Sequence, residues 1–85
     1  MNSAPPIAWT IAGSDSGGGA GIQADLHSFQ DFGVHGCTVI TALTAQNSTA
    51  ITKSTATDPE QLLAQIDALD RDLPAQAIKL GMLAN

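Results

Sequence analysis

Residues 37–43 read CTVITAL, a run that is apolar or β-branched on both of its alternating faces. A strand of that kind is stable when both faces are covered, the situation of a strand inside a parallel sheet flanked by helices. The flanking segments fit that setting. Residues 7–12 (IAWTIA) form a short β-rich run stopped by Gly13, and residues 14–21 (SDSGGGAG) form a loop by composition. Residues 21–33 predict a helix with Ile22, Leu26, Phe29 and Phe32 on one side and Gly33 as its C-terminal cap. Residues 44–57 are polar and rich in Ser and Thr, a loop with room for one weak strand around Ile51. Asp58-Pro59-Glu60-Gln61 is a strong helix start, with Asp as N-cap and Pro at the first helical position. Leu62, Leu63, Ile66, Leu69 and Leu73 then fall in a stripe about 120° wide, and Pro74 ends the helix. Residues 77–83 (AIKLGML) predict a further strand.

The order strand, helix, strand, loop, helix, strand predicts an α/β fold: a mainly parallel sheet with flanking helices and right-handed crossovers. The architecture is unfinished, because two helices are few for a sheet covered on both faces and none follows the last strand. The chain has 85 residues, 44% of them apolar and 4% aromatic. A domain so short buries roughly 60–65% of the surface its unfolded chain exposes, a thin margin. The single cysteine, Cys37, offers no internal disulfide. We therefore expect residues 1–85 to be the N-terminal segment of one larger α/β domain. The net charge is −5, and the basic residues Lys53, Arg71 and Lys79 are scattered, so no polyanion footprint exists and nucleic acid is a poor partner. The start, MNSAPPIAWTIAG, lacks the basic residues of a secretory signal, and no apolar run approaches the ~20 residues of a membrane helix. The expectation is a cytoplasmic protein with no membrane partner.

In open parallel sheets, ligands bind beyond the carboxyl ends of the strands. The loop at residues 13–21 is in that position. Its small residues Gly17, Gly18, Gly19 and Ala20 leave backbone N–H groups open at a helix N-terminus, which suits an anion; a turn needing positive φ is an equal reading. Gly21 is followed by Ile22 and Gln23 rather than Lys and Ser or Thr, which excludes a Walker loop. The dinucleotide fingerprint lacks its acidic partner, since residues 39–45 contain no carboxylate.

Asp25 is the most informative single residue. At about 100° per residue it falls between Phe29 and Phe32, a carboxylate inside an apolar stripe, which is costly unless something satisfies it. It either caps the loop's own N–H groups or faces a ligand beneath the loop. Gln46 and Asn47 follow an apolar strand at its carboxyl end, where an amide can read donors and acceptors. Met82 ends the last strand and is placed either to wall a flat ligand or to fill core. Cys37 reads as a buried small hydrophobe, His27 and His35 have no neighbouring ligand for a metal, and Asp67, Asp70 and Asp72 read as a solvated face and helix end.

Three ordered blocks carry a resemblance. IAGSDSGGGAGIQADL (residues 11–26), VITALTAQN (39–47) and IKLGML (78–83) resemble the N-terminal part of the hydroxymethylpyrimidine/phosphomethylpyrimidine kinases of thiamine biosynthesis. The resemblance implies a ribokinase-like fold and ATP-dependent phosphorylation of 4-amino-5-hydroxymethyl-2-methylpyrimidine and then of its monophosphate. It implies a small-molecule pyrimidine as substrate and ATP and Mg2+ as cofactors; the unpaired last strand and uncovered apolar faces of so short a chain predict a homo-oligomer. By the same resemblance Gln46 hydrogen-bonds the aminopyrimidine, Gly13 and Asp25 line the pocket, and Met82 packs on the ring. His27 and Cys37 depart from residues common in that family. Its members are about three times longer, and their catalytic base, anion hole and most ATP contacts lie in the later part. No catalytic residue is therefore expected among these 85, and the chain alone is expected to be inactive. Two alternatives are a pyridoxal/pyridoxine kinase of the same superfamily and a non-catalytic binding or assembly module.

Overall fold

The computed structural model describes residues 4–81. Its elements are β1 (Ile7–Asp15), α1 (Gly21–Asp31), β2 (His35–Gln46), β3 (Ile51–Ala56), α2 (Pro59–Asp72) and β4 (Ala77–Leu80). They form one four-stranded sheet in the order β3-β2-β1-β4. β1 runs parallel to both β2 and β4, while β3 pairs antiparallel with β2. The sheet is thus mainly parallel, and the weak strand expected around Ile51 is its antiparallel edge.

The two faces of β1 differ in bulk, and that difference sets the layers. Its odd positions carry Ile7, Trp9 and Ile11, which pack with Cys37 and Val39 of β2 against Leu62, Ile66, Leu69 and Leu73. The Trp9 indole N–H donates to the Leu73 carbonyl at 2.8 Å, tying β1 to the end of α2. The even positions carry Ala8, Thr10 and Ala12, small residues that let α1 approach closely with Ile22 and Asp25 buried beneath it. Gly36 completes that bed: a Cβ there would meet Leu26 and Phe29 side chains at 2.7 and 2.8 Å. Helices on opposite faces follow from right-handed crossovers leading to opposite sides of β1.

α2 starts where the sequence predicts. The Asp58 carboxylate accepts the Gln61 N–H at 2.8 Å, with Pro59 at the first helical position. A polar side chain adds to the apolar packing that holds the helix on β2. Gln65 accepts the Ile40 N–H at 2.8 Å and donates to the Ile40 carbonyl at 3.0 Å. Ile40 lies just before β3 begins to pair, so the amide supplies the bonds that a neighbouring strand would have made.

Three hydrophobic expectations are corrected. Phe32 is 84% exposed, because α1 ends at Asp31 and Gly33, at φ 69°, turns the chain away from the helix face. Leu63 is 66% exposed, since the stripe α2 presents to β2 is narrower than its apolar pattern. Leu43 is also exposed: past Ala42, β2 runs out into an antiparallel ribbon with β3, whose residues are all exposed. β4 is described as Ala77–Leu80, so the end of the expected strand, Met82 and Leu83, lies outside the described residues. No helix among the described residues is long and apolar enough to cross a membrane.

Gly21 is a position where only glycine fits. Its φ is +60°, and a Cβ would stand 2.2 Å from the Gly13 carbonyl oxygen. Gly18 has φ +81° but nothing within 4 Å. Urea denaturation followed by circular dichroism should therefore separate Gly18→Ala, which costs about 1 kcal/mol, from Gly21→Ala, which costs about 3 kcal/mol or more. Equal effects would contradict the close approach.

Candidate functional site

The crossovers leave β1 on opposite faces, which opens a crevice at its carboxyl end, where α/β sheets bind ligands. A cavity of about 370 Å³ lies there on the α1 side, lined among others by Gly13, Asp25, Thr44, Gln46 and Lys79. Three of the four residues singled out from sequence thus share one cavity: Gly13, Asp25 and Gln46. Met82 lies outside the described residues.

Asp25 is held from both sides. The Thr10 hydroxyl donates to its Oδ2 and the Lys79 ammonium to its Oδ1, each at 2.6 Å. Burial pushes the carboxyl pKa up, but the hydrogen bonds from Lys79 and Thr10 and the Lys79 charge outweigh it, holding the group below its ordinary 3.8. The Asp25 side chain is 11% exposed and that of Lys79 54%, so the cation is far more open to water than the anion.

Asp25 does not cap the glycine loop; Asp15 does. Asp15 Oδ1 accepts the Gly17 N–H at 2.7 Å, and Oδ2 accepts those of Gly19 and Ala20 at 3.0 and 2.8 Å. The N–H groups read from composition as open to an anion therefore already hold one, supplied by the chain itself. Gln23 stiffens the arrangement, its Oε1 accepting the Asp15 N–H and its Nε2 donating to Ser14 Oγ.

Gln46 is clamped to the same loop. Its N–H donates to Ser16 Oγ at 2.7 Å, and that hydroxyl donates back to the Gln46 carbonyl at 2.5 Å. Its side-chain Nε2 donates to Thr44 Oγ1 at 3.0 Å. Asn47 is turned to another task. Its Oδ1 accepts from the Thr49 N–H and hydroxyl and from the Ala50 N–H, closing the turn into β3. Cys37 lies in the core on the opposite face of the sheet, its thiol pushed up by burial and by the Asp72 charge. Among the described residues no group of three or more His, Cys, Asp or Glu is arranged to hold a metal ion.

Sequence reasoning missed Asp15, Thr10 and Lys79. Lys79 carried a usable signal: a cation between Ile78 and Leu80 in a strand is as misplaced as a carboxylate in an apolar helix stripe. The two misfits answer each other.

A phosphomethylpyrimidine kinase family model matches residues 15–85. The hydroxymethylpyrimidine/phosphomethylpyrimidine kinase of Synechococcus elongatus is 58% identical over 82 residues, covering 96% of this chain and 31% of that protein. The same enzyme of Rhizobium meliloti is 54% identical over 78 residues, 92% of this chain and 29% of that protein. Among solved structures, phosphomethylpyrimidine kinase from Clostridium difficile 630 superposes with a TM-score of 0.90 at 45% identity, covering 94% of this chain and 35% of that one. An ADP complex of Bacillus subtilis pyridoxal kinase gives 0.85 at 38% identity, covering 95% and 31%. The chain spans about three-tenths of the length of the curated relatives it matches.

The depressed Asp25 pKa gives stability a sign with pH. The contribution is full above 3.8 and is lost as pH falls below that through the folded value. At neutral pH, Lys79→Met strands a buried carboxylate and should cost about 2–3 kcal/mol, whereas Asp25→Asn leaves a lysine that reaches water and should cost about 1 kcal/mol. Burial then dominates in Lys79→Met, so its deficit against wild type should shrink on acidification. Chemical denaturation at pH 7 and pH 4 checks both; a larger loss for Asp25→Asn would contradict the assignment.

Proposed function

The chain belongs to the phosphomethylpyrimidine kinase family, and from that premise we propose that it forms the pyrimidine-binding wall of a longer, ATP-dependent kinase of thiamine biosynthesis. The substrates on this reading are 4-amino-5-hydroxymethyl-2-methylpyrimidine and its monophosphate. The observation that carries it is the convergence of an amide, Gln46, and an ionised carboxylate, Asp25, on one cavity at the carboxyl ends of the strands. A volume of about 370 Å³ is within the range of small-molecule sites. Gln46 reads the ring's edge with its carbonyl and its remaining N–H, and Asp25 accepts from a donor on the ring with the lone pairs that Thr10 and Lys79 leave. Gly13 contributes a wall without a side chain, and Met82 packs on the ring.

The nucleotide does not fit the described residues. The glycine-loop N–H groups at 17, 19 and 20 are held by Asp15, and no lysine follows the loop to meet phosphate. On this reading ATP, Mg2+ and the catalytic base belong to polypeptide beyond these 85 residues, and the chain alone binds without transferring phosphate. The protein works in the cytoplasm as a homo-oligomer. The likeness to pyridoxal kinases supports a second reading, in which the acceptor is pyridoxal.

The gene's reading frame past Asn85 and a substrate comparison test the proposal together. A continuing frame and an ATP-dependent product from the hydroxymethylpyrimidine, formed faster than from pyridoxal, are expected. Preference for pyridoxal would favour the second reading, and a stop codon directly after Asn85 would favour a non-catalytic binding module. For the 85-residue chain, calorimetry should show pyrimidine binding that Gln46→Ala weakens about tenfold, and no turnover.

A further inference from the structure

The Gln46 amide reads a ring only if its carbonyl and its N–H occupy known positions, since a half-turn of the amide exchanges acceptor and donor. We infer that Thr44 is a specificity-determining residue: its hydroxyl locks the Gln46 amide in one orientation, so that the cavity selects a ring with an amino donor beside a ring-nitrogen acceptor over its oxo counterpart. The inference rests on the reading of the cavity as a pyrimidine site.

The lock follows from counting protons. A threonine hydroxyl has one hydrogen to give. Thr44 donates it to the Ser14 carbonyl oxygen at 2.7 Å. Its oxygen can then only accept, and the side-chain atom of Gln46 that stands 3.0 Å away must be a donor, Nε2. Turning the amide over would bring Oε1 against an oxygen with no hydrogen left, or take the hydrogen from Ser14. In the locked orientation Oε1 has no protein partner among the described residues, and Nε2 keeps its second hydrogen. That pair is an acceptor beside a donor, in fixed order, at the cavity edge.

The surroundings hold the reading head still. Thr44 and Gln46 are two apart on β2 and share a face. Ser16 grips both backbone groups of Gln46, so the main chain does not rotate to compensate. The pairing of β1 with β2 shifts register between Ala12 and Ser14, and that of β2 with β3 between Ala45 and Gln46. The ladder is irregular on both sides of the site, and side-chain hydrogen bonds define the local geometry instead.

The aminopyrimidine presents a donor beside an acceptor, while the 4-oxo analogue presents them in reversed order. A locked amide matches only one. Thr44→Val keeps the shape and removes the hydroxyl, and Thr44→Ser keeps the hydroxyl. The test uses the protein expressed from its whole reading frame, with nuclear magnetic resonance of the Gln46 side-chain amide and titration with 4-amino-5-hydroxymethyl-2-methylpyrimidine and its 4-oxo analogue. Wild type and Thr44→Ser should show one Gln46 side-chain amide proton protected from solvent exchange without ligand and bind the amino ring at least fivefold more tightly. Thr44→Val, with its backbone spectrum otherwise retained, should show faster exchange and lose about fivefold of that preference. A Thr44→Val chain with wild-type amide signals and wild-type preference overturns the inference. Binding of neither ring by wild type overturns the reading of the cavity, and the ligand-free amide signals then decide the lock by themselves.

Discussion

β1 is hydrogen-bonded along both edges, to β2 on one side and β4 on the other, and each of its faces carries a helical or side-chain layer. A strand so enclosed leaves no polar group free to find water. Thr10, completely buried in its middle, therefore needs an acceptor for its hydroxyl, and the small residues around it let α1 bring Asp25 within reach. The carboxylate in turn needs a cation, which β4 supplies on the neighbouring edge. The polar wall of the cavity thus follows from satisfying one buried hydroxyl in the central strand.

What was legible in the sequence was local. The CTVITAL run predicted an internal strand, and Asp58-Pro59 predicted the start of α2 to the residue. Asp25 was recognisable because a charge inside an apolar stripe is a local contradiction. What it touches was not, because Thr10 and Lys79 come from elements 15 and 54 residues away. The glycine loop shows a different limit. An open anion site and a loop filled by its own carboxylate have the same composition; Asp15 at two, four and five residues before its partners is the feature that separates them. Phe32 and Leu63 were misjudged for a third reason. Hydrophobic periodicity gives the angle of a stripe but not where the helix ends or how much sheet lies below it.

The same backbone resembles phosphomethylpyrimidine kinase at a TM-score of 0.90 and pyridoxal kinase at 0.85. A scaffold shared so closely does not by itself distinguish two ring substrates. Discrimination between two such rings has to lie in side chains, and Thr44 and Gln46 stand together on the cavity at the end of β2. A register shift in each neighbouring ladder, between Ala12 and Ser14 and between Ala45 and Gln46, allows them to be arranged with some independence from the sheet.

The ion pair between Asp25 and Lys79 also has a consequence for the order in which the molecule assembles. Its partners are 54 residues apart, and the β1–β4 pairing beside it joins residues 69 apart. β1, α1 and β2 can associate through neighbouring contacts, but until α2 has crossed the sheet and β4 has docked, α1 rests on β1 with an uncompensated charge beneath it. Long-range closures of this kind are slow and come late. The cavity therefore lacks its lysine until the final strand has docked, and its carboxylate is paired with a cation only from that point.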